Sequence, residues 1–561
     1  MSTDDGLFVI SYNGEIYNFE EIRRELQRLG HTIKSRTDTE VVLHAYAQWG
    51  RACVEKFNGM FAFAILDYKR QRIFLARDRY GIKPLYYTFC GGKLLFASEA
   101  KAFLTYPDFT PRLDFQALTE YFTFQNILSD HTFLSNVHIL PAGCHAYTSL
   151  HGDQTLHLRR YWDYDFNEDP ALSDERGCEE ELDRLFRQAI QRQLVSDVEI
   201  GSYLSGGMDS GSIAALAAQK FPYLKTFTCG FDLHSASGLE LGFDERSTAE
   251  YMSYIFKTEH YEMVLKAGDM ERVLPQVAWH IEEPRVGQSY PNYCIANLAS
   301  RFVKVALAGT GGDELFGGYP WRYYRGLGAK SFEDYIDKYY LYWQRLVPNT
   351  TLRALLAPIK NETQNIWTRD IFRNVFANTD VPQTPENSIN HSLYFEAKTF
   401  LHGLLVVDDK LSMAHSLETR VPFLDNDLVD FAMHLPVRFK LAKLDEVVRI
   451  NENENNKLKT YYLKTNDGKA ILRKTMQRYI PQEITQAMKQ GFSAPDATWF
   501  KGESMQYVQK RLFNNDARIF GYLDKKTVQS LVAEHLSGKQ NRRLLIWSLL
   551  NFEAWLKGFL P

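Results

Sequence analysis

The sequence lacks paired cysteines, long apolar runs and a leader-like N-terminus. It contains no CxxC pair, which argues against a zinc cluster or a redox dithiol. No apolar run approaches the roughly 18 residues of a membrane span, and no basic start precedes an apolar stretch as in a signal peptide. We therefore expect a cytoplasmic protein with reduced thiols and no membrane partner. The widely spaced cysteines are Cys53, Cys90, Cys144, Cys178, Cys229 and Cys294.

The sequence also has little net charge. The formal charge is only -4 over 561 residues, so bulk electrostatics do not favour nucleic acid or an anionic membrane as a partner. Hydrophobic residues make up 45% of the chain and charged residues 24%, as in an ordinary folded protein. A chain of this length is too long for one core, so we expect two or more domains.

The first hundred residues are rich in short β-type runs. "LFVISYNG", "MFAFAILD", "RIFLARD", "PLYYTF" and "LLFASEA" are separated by turn residues. The Asn-Gly pair after the first run predicts a tight turn, and a helix is predicted from Glu20 to Leu29, ended by Gly30. These patterns favour an α+β domain with antiparallel pairing over residues 1–165. The run "YWDYDFNEDPALSDERG" is the best linker.

From about residue 175 the pattern changes to strands alternating with helices. "EELDRLFRQAIQRQL" and "GSIAALAAQKF" are typical of helices, whereas "EIGSYL", "LKTFTCGF" and "VKVALAG" are typical of strands. This alternation predicts a doubly wound parallel sheet in a domain over residues 175–561, with a helical C-terminal part. The polar run 451–459 predicts an exposed loop, and "KLKTYYLKT" predicts a strand after it.

The stretch "SYLSGGMDSGSIAALAA" carries the strongest chemical signal. A strand ends at Leu204, and a helix of small residues begins after Ser210. Two glycines, two serine hydroxyls and the helix N-terminus together predict an anion-binding loop. Asp209 would repel a phosphate, so a Mg²⁺ ion between them is implied. The plainer alternative is a glycine turn that binds nothing.

A second strand runs into a glycine-rich turn in "VKVALAGTGGDELFGGYP". Gly309, Gly311 and Gly312 open the backbone there. Asp313 could join Asp209 in holding one Mg²⁺ ion against the phosphates. An exposed acidic turn is the alternative interpretation.

The first loop resembles the pyrophosphate loop of N-type ATP pyrophosphatases, and no GxxxxGK[ST] loop is present. Together with the stretch Asp408–Asp425, "DDKLSMAHSLETRVPFLD", both loops resemble the synthetase domain of glutamine-dependent asparagine synthetases. That family adenylylates a carboxylate with ATP, releases AMP and pyrophosphate, and uses this stretch as a helical wall of its active site. The resemblance implies that the residues contacting ATP or pyrophosphate are Leu204, Ser205, Gly206, Gly207, Asp209, Ser210, Cys229, Ala308 and Gly309.

A lysine matches the family in "GKAILRKTM", where Lys469 starts a predicted helix. In the family, the lysine at this position faces the phosphates and supports adenylylation and ammonia attack. The resemblance therefore implies that Lys469 is catalytic. A lone exposed lysine is the alternative.

The N-terminal runs "NGEIYNFEEIRREL" and "TDTEVVLHAYAQWG" resemble the glutaminase domain of class II glutamine amidotransferases. The resemblance implies that Asn13 and Gly14 form an oxyanion hole for amide hydrolysis. It also implies that Glu15 and Asp38 bind the amino group of glutamine.

That family uses an N-terminal cysteine as its nucleophile, and residue 2 here is Ser2. Cys53 lies within a helix-like segment. We expect that the chain begins about a third of the way into a glutaminase domain. A polypeptide of these residues should then take its nitrogen from free ammonia.

The synthetase loop departs from the family at Thr310, where many members carry an acid thought to assist chemistry at the acceptor. Threonine is no general base at neutral pH. Either another carboxylate serves, such as Glu314 or Glu283, or the acceptor differs.

Three functions follow from these patterns. The first is ATP-dependent amide synthesis, with aspartate and glutamine or ammonia as substrates and a homodimer as an open option. The second is a ligase or cyclase similar to β-lactam synthetase that acts on another acid. The third is a scaffold or glutamine sensor, which the intact Asp209, Asp313 and Lys469 disfavour.

Overall fold

The computed structural model describes residues 1–151, 155–234, 236, 240, 242–377, 384–442, 468–487 and 494–560. The predicted loop at 451–459 and the strand predicted after it lie outside these residues. Contacts divide the chain into two compact units. Unit 1 comprises Met1–Asp114, Asp130–Tyr164 and Leu424–Asn426, and unit 2 comprises Phe115–Ser129, Asp165–Phe423 and Asp427–Pro561.

Unit 1 is built on antiparallel sheets, as the short apolar runs predict. The first sheet has the strand order β1-β2-β3-β7-β8 and the second has the order β5-β4-β6, with antiparallel pairing throughout. The antiparallel character predicted for the N-terminal region is confirmed. The strands are β1 Phe8–Ile16, β2 Gly59–Asp67, β3 Arg72–Arg77, β4 Tyr86–Cys90, β5 Lys93–Ala97, β6 His138–Ile139, β7 Cys144–Ser149 and β8 His157–Arg160.

The tight turn predicted at the Asn-Gly pair is wrong. Asn13 and Gly14 lie inside β1 and pair with Ala62 and Phe61 of β2. Gly14 has a φ of 153°, and a Cβ atom there would lie 2.2 Å from the Met60 carbonyl oxygen. Glycine is therefore needed for close approach of two strands and not for a turn, because only glycine fits this conformation and this space.

Two helices cover the first sheet: α1 (Phe19–Arg28) and α2 (Asp38–Trp49). Ile22 of α1 and Val41 of α2 are buried in one hydrophobic core with the sheet residue Phe63. The predicted first helix is thus confirmed, and Gly30 follows its end with a φ of 92°. Burial of these apolar side chains, spaced at helical intervals, holds both helices on the sheet.

Unit 2 contains the predicted parallel sheet. Its strand order is β11-β10-β9-β12-β13, and every pairing in it is parallel. The predicted α/β architecture with alternating strands and helices is confirmed. The strands are β9 Ile200–Tyr203, β10 Lys225–Phe231, β11 Glu259–Leu265, β12 Val305–Leu307 and β13 Glu418–Arg420.

The strand order of this sheet reverses between β9 and β12. From β9 the chain adds β10 and β11 on one side, and β12 and β13 then form on the other side. Val305 of β12 pairs directly with Ile200 of β9. In open α/β sheets, ligands bind outside the carboxyl ends of the strands at such a reversal.

Residues 115–129 belong to unit 2, although they lie within the sequence range assigned to the first domain. The buried guanidinium of Arg285 donates to the Ile127 carbonyl at 2.7 Å. The Asn126 amide donates to the Thr399 carbonyl at 3.0 Å. These long-range hydrogen bonds satisfy buried polar groups, so the segment is fixed to unit 2.

Within the described ranges, helices dominate the chain beyond residue 320, in agreement with the predicted helical C-terminal part. The stretch Asp408–Asp425 is only partly helical, because β13 adds to the sheet edge within it. None of the helices in the described ranges has both the length and the apolar character that crossing a membrane requires. The helices are α3 Phe115–Phe124, α4 Glu175–Gln193, α5 Met208–Lys220, α6 Arg246–Phe256, α7 Ala267–Ile281, α8 Tyr290–Ala299, α9 Gly312–Phe316, α10 Pro320–Tyr323, α11 Phe332–Trp343, α12 Asn349–Leu355, α13 Lys360–Thr363, α14 Thr368–Arg373, α15 Pro385–Glu396, α16 His402–Met413, α17 Asn426–His434, α18 Val437–Lys440, α19 Ala470–Met476, α20 Gln482–Thr485, α21 Asp496–Trp499, α22 Met505–Leu512, α23 Lys525–Leu536 and α24 Arg543–Phe559.

Candidate active site

A cavity of about 1250 Å³ lies in unit 2 where β9, β10 and β12 end. Its walls include the loops that follow β9 and β12, which meet at the reversal of strand order. This is the edge of the sheet where an α/β fold of this kind binds ligands. The predicted synthetase residues that line it are Leu204, Ser205, Gly206, Gly207, Asp209, Ser210, Cys229, Ala308, Gly309, Asp313 and Lys469.

The loop after β9 is closed by its own serines. The hydroxyl oxygens of Ser205 and Ser210 lie 2.8 Å apart. The Ser205 backbone N–H donates to the Ser210 hydroxyl at 3.0 Å, and the Gly207 N–H donates to the Ser205 hydroxyl at 3.1 Å. Gly207 is also the N-cap of α5. The loop is thus preorganised, with the positive end of the α5 dipole facing the cavity.

Two glycines let the two loops approach each other. A Cβ atom on Gly309 would lie 3.0 Å from the Asp209 Cβ, and one on Gly312 would lie 3.0 Å from the Asp209 Cγ. Both distances are shorter than ordinary side-chain contacts, so a larger residue would force the loops apart. The glycines therefore bring the carboxylates of Asp209 and Asp313 to one place.

Lys469 joins these two carboxylates. Its ammonium nitrogen lies 2.6 Å from Asp209 Oδ2 and 2.5 Å from Asp313 Oδ1. The lysine side chain is only 4% exposed. Charge-assisted contacts of this length fix the ammonium group inside the cavity.

The backbone of Lys469 is also fixed. It is the N-cap of α19 with a φ of 58°, a left-handed conformation that is uncommon outside glycine. Its N–H donates to the Phe316 carbonyl at the end of α9, at 3.1 Å. The predicted helix start at this lysine is confirmed, and the exposed-lysine alternative does not fit its burial.

The hydroxyl of Thr310 meets an acid that sequence reasoning did not single out. Thr310 donates to Asp408 Oδ2 at 2.7 Å, and the Asn292 amide donates to Asp408 Oδ1 at 2.9 Å. Burial raises the pKa of Asp408 to about 6, although both hydrogen bonds oppose this rise. Thr310, Asn292 and Asp408 all line the cavity.

The acids proposed from sequence to replace the missing one are placed differently. Glu283 is 1% exposed and pairs with Arg285 at 2.8 Å. Glu314 lines the cavity and accepts from the Tyr319 hydroxyl at 3.3 Å. Asp408 is the carboxylate in direct contact with Thr310. The feature of the sequence that could have pointed to Asp408 is the Asp-Asp pair at the start of "DDKLSMA".

Cationic and aromatic side chains also line the cavity and were not anticipated. The Arg322 guanidinium lies 3.9 Å from the centre of the Tyr319 ring and pairs with Glu396 at 3.1 Å. Arg345 and Phe400 line the same cavity. Arg322 follows the second glycine-rich loop closely in the sequence, whereas Arg345 and Phe400 come from segments farther along the chain. No motif marked any of the three as a cavity residue.

Cys229 lies in β10 and lines the cavity, but its thiol is not reactive. Burial raises the pKa of the Cys229 thiol well above its usual range, so the thiol stays protonated. Cys229 is therefore a strand position that lines the cavity and not a nucleophile.

The predicted glutamine-binding residues lie in unit 1. Asn13 and Glu15 are on β1, and the Asn13 amide donates to the Ser98 hydroxyl at 3.1 Å. Asp38, the first residue of α2, accepts from the Tyr12 hydroxyl at 2.6 Å and from the Ile16 N–H at 3.0 Å. The structure therefore places Asp38 beside the stretch Asn13–Gly14–Glu15. Both of these hydrogen bonds are accepted by the same oxygen, Asp38 Oδ2.

Cys53 is unsuited to act as a nucleophile beside these residues. It is fully buried in the short helix Gly50–Lys56, and burial raises the pKa of its thiol far above the usual value. The Met1 amine is engaged as well, since it donates to the Ile10 carbonyl at 3.1 Å.

Comparison with known proteins decides the family. The family described as Asparagine synthase matches residues 181–557, and the Glutamine amidotransferase domain matches residues 1–162. The chain belongs to the asparagine synthase family. The resemblance seen in the sequence is thereby confirmed for both parts of the chain.

Individual relatives of this asparagine synthase chain span most of its length. Asparagine synthetase [glutamine-hydrolyzing] 1 of Bacillus subtilis is 30% identical, over 99% of this chain and 86% of the relative. Asparagine synthetase [glutamine-hydrolyzing] 3 of the same organism is 30% identical, over 94% and 82%. Amidase chyE of Penicillium rubens is 25% identical, over 93% and 82%.

Membership of the asparagine synthase family establishes the reaction class. The protein is an asparagine synthase (glutamine-hydrolysing) type ligase, which forms a carbon–nitrogen bond in ATP-dependent amide synthesis. The ATP requirement matches a cavity that is lined by two glycine-rich loops and the start of α5.

Proposed function

We propose that this enzyme converts aspartate to asparagine through an acyl-adenylate and releases AMP and pyrophosphate. The observation that carries the proposal is the cluster of Lys469, Asp209 and Asp313 beside the N-terminus of α5. A helix N-terminus and a buried ammonium group together stabilise the negative charge of a leaving pyrophosphate.

The donor set at this cluster fits Mg²⁺. Asp209 and Asp313 offer carboxylate oxygens, the ligands that Mg²⁺ prefers. No described residue makes a hydrogen bond to Asp209 Oδ1, although that atom is buried, so it is available to a cation. Bound there, Mg²⁺ would neutralise charge on the ATP phosphates.

Lys469 has a separate part in the proposed reaction. Its ammonium group compensates the two acidic side chains, which would otherwise repel each other and any phosphate. Because its backbone is anchored to α9 and α19, the charge stays in the cavity. We assign to it the stabilisation of negative charge at the α-phosphate, first as the carboxylate attacks ATP and pyrophosphate leaves, and then as ammonia displaces AMP from the adenylate.

Asp408 is the proposed proton acceptor. In the second step the nitrogen of ammonia attacks the acyl carbon, the bond from that carbon to AMP breaks, and the nitrogen loses a proton. A carboxylate with a pKa of about 6 is ionised at neutral pH and can take this proton. Thr310 orients it through the 2.7 Å hydrogen bond.

The products of ATP cleavage test the proposal. With ATP, Mg²⁺, aspartate and ammonium present, we expect AMP and pyrophosphate in equal amounts, together with asparagine. Phosphorus NMR of the reaction mixture measures this. Release of ADP and phosphate, or cleavage that does not depend on an acceptor acid, would contradict the assignment.

The pH profile tests Asp408. Below pH 6 the acid is protonated, so kcat/KM referred to the concentration of free NH3, which removes the titration of ammonium itself, should fall about tenfold per pH unit there. Asp408→Asn should lower the rate by about 10²- to 10⁴-fold and abolish this fall, the acidic limb of the pH profile. Thr310→Val should instead move the limb to higher pH, because the ionised acid loses a hydrogen bond. An acidic limb that persists in Asp408→Asn would exclude the role.

The proposed nitrogen source rests on Cys53 and on the identity of residue 2. Cys53 is buried with a protonated thiol, and residue 2 is Ser2. We expect a polypeptide of these 561 residues to make amide from ammonium salts and not from glutamine. Product formation with each donor measures this, with Cys53→Ala as the control that should change neither rate. Robust glutamine-dependent synthesis would contradict the inference that this polypeptide has no nucleophile for glutamine.

A different acceptor acid is the second candidate function. The Thr310–Asp408 pair replaces the expected acid, and the relative Amidase chyE carries a name other than asparagine synthetase. Arg322 and Arg345 line the cavity and could hold a second carboxylate of the acceptor. Aspartate also carries two carboxylates, so these arginines do not separate the two candidate functions. Acceptor-dependent AMP release across a panel of carboxylic acids discriminates the two functions.

A further inference from the structure

Two histidines of unit 1 face each other across a short turn. His131 and His138 form an isolated antiparallel bridge, and the Ile139 N–H donates to the Asp130 carbonyl at 2.9 Å. Residues directly opposite in an antiparallel pair place their side chains on the same face. The centres of the two imidazole rings accordingly lie 5.3 Å apart.

The carboxylate of Asp130 completes a group of three ligand-type side chains. Ligand atoms of Asp130, His131 and His138 all lie within 4.8 Å of one another. His138 Nδ1 is 3.6 Å from Asp130 Oδ2, and no described residue makes a hydrogen bond to this buried nitrogen. Two atoms bound to tetrahedral zinc at about 2.0–2.1 Å would be about 3.4 Å apart. The distance between His138 Nδ1 and Asp130 Oδ2 is thus too long for a hydrogen bond and close to the separation of two ligand atoms on one zinc ion.

A second carboxylate supports the first histidine. Asp114 Oδ2 lies 2.9 Å from His131 Nδ1, and the Asp114 backbone N–H donates to the Phe133 carbonyl at 3.0 Å. Histidines that bind metals commonly use one ring nitrogen for a carboxylate and the other for the metal. Asp114 is placed to fix the ring of His131 in this way.

The ring of His138 is held by an aromatic neighbour. Tyr87 of β4 stacks on it, with ring centres 5.6 Å apart and an angle of 28° between the planes. The side chains of His131, His138 and Asp130 remain 29%, 32% and 42% exposed. The group is therefore ordered by backbone pairing and stacking, yet open enough to admit an ion.

We propose that Asp130, His131 and His138 bind one zinc ion, with water as the fourth ligand and Asp114 as a positioning residue. Two imidazoles and one carboxylate favour Zn²⁺ over Mg²⁺, which prefers oxygen ligands alone. The site is separate from the proposed chemistry in unit 2, so it does not depend on that function.

Zinc titration of the full, untagged, chelator-treated chain tests the site. Isothermal titration in excess Mg²⁺ should show one zinc bound, and His138→Ala should weaken it at least about 100-fold. Asp114→Asn should weaken it about tenfold, because the ring of His131 loses its support. His151→Ala replaces an exposed histidine of the same unit and should change nothing.

Circular dichroism and cobalt absorption distinguish loss of the metal site from loss of the fold. Circular dichroism checks the fold of each variant, and Asp130→Asn replaces His138→Ala if the latter unfolds. Cobalt in place of zinc should give the visible absorption of a tetrahedral site, and the variants should lose it. Zinc binding of equal strength in the wild type, Asp130→Asn and His138→Ala would overturn the proposal, as would no binding by the wild type.

Discussion

Replacing Lys469 by alanine should lower kcat for amide synthesis by about 10²- to 10³-fold, the usual loss when a preorganised charge at the reacting group is removed. The lysine is buried and in contact with both Asp209 and Asp313, so water cannot supply an equivalent charge. The two carboxylates would also face each other without compensation. We therefore expect lower thermal stability of the ligand-free variant, which added Mg²⁺ should partly restore.

The matched control for this prediction lies on the same helix. Lys474 of α19 pairs with Glu175, and its side chain is 50% exposed. Lys474→Ala should leave kcat within about twofold, because exposed ion pairs contribute little. Steady-state rates and thermal unfolding of both variants measure the difference. A Lys469→Ala enzyme with the wild-type rate would return this lysine to a purely structural role.

Asp209→Asn should also remove most activity, by about 10²- to 10³-fold. The substitution keeps the size of the side chain but removes one negative charge from the proposed Mg²⁺ ligands. A bound cation supplies several kcal/mol of charge stabilisation, and each 1.4 kcal/mol is about tenfold in rate. The Mg²⁺ concentration for half-maximal rate should rise in parallel.

Asp197→Asn is the control for charge alone. Asp197 is exposed and precedes β9, so it comes before the same strand that leads to Asp209. Its substitution should change neither the rate nor the Mg²⁺ requirement. If Asp209→Asn kept its Mg²⁺ dependence and its rate, the carboxylate would not be a metal ligand.

Much of the site could be predicted because its parts are local in sequence. Strand, glycine turn and helix follow each other within about a dozen residues after both β9 and β12. Such segments are specified by periodicity and by residues suited to turns. The parallel sheet and the placement of both loops at its carboxyl edge follow from the same alternation.

Local patterns misled at the Asn-Gly pair in β1. The dipeptide is a strong turn signal, but Gly14 serves a close approach to Met60 instead. The Asn-Gly pair can form either a turn or part of a strand. Packing of β1 against β2 decided in favour of the strand. The same holds for β13, whose three residues form a strand only because β12 lies beside them.

The sequence by itself determined the two glycine loops, the strand–helix alternation and the acidic residues that follow each loop. Only the tertiary structure showed that Lys469 reaches Asp209 across 260 positions, and that Thr310 meets Asp408 across 98. Contacts between residues far apart in the chain arise from packing of whole elements, which no local pattern encodes. The sequence placed Asp408 in a stretch that resembles an active-site wall, but its hydrogen bond to Thr310, on which the proposed role as proton acceptor rests, was visible only in the folded protein.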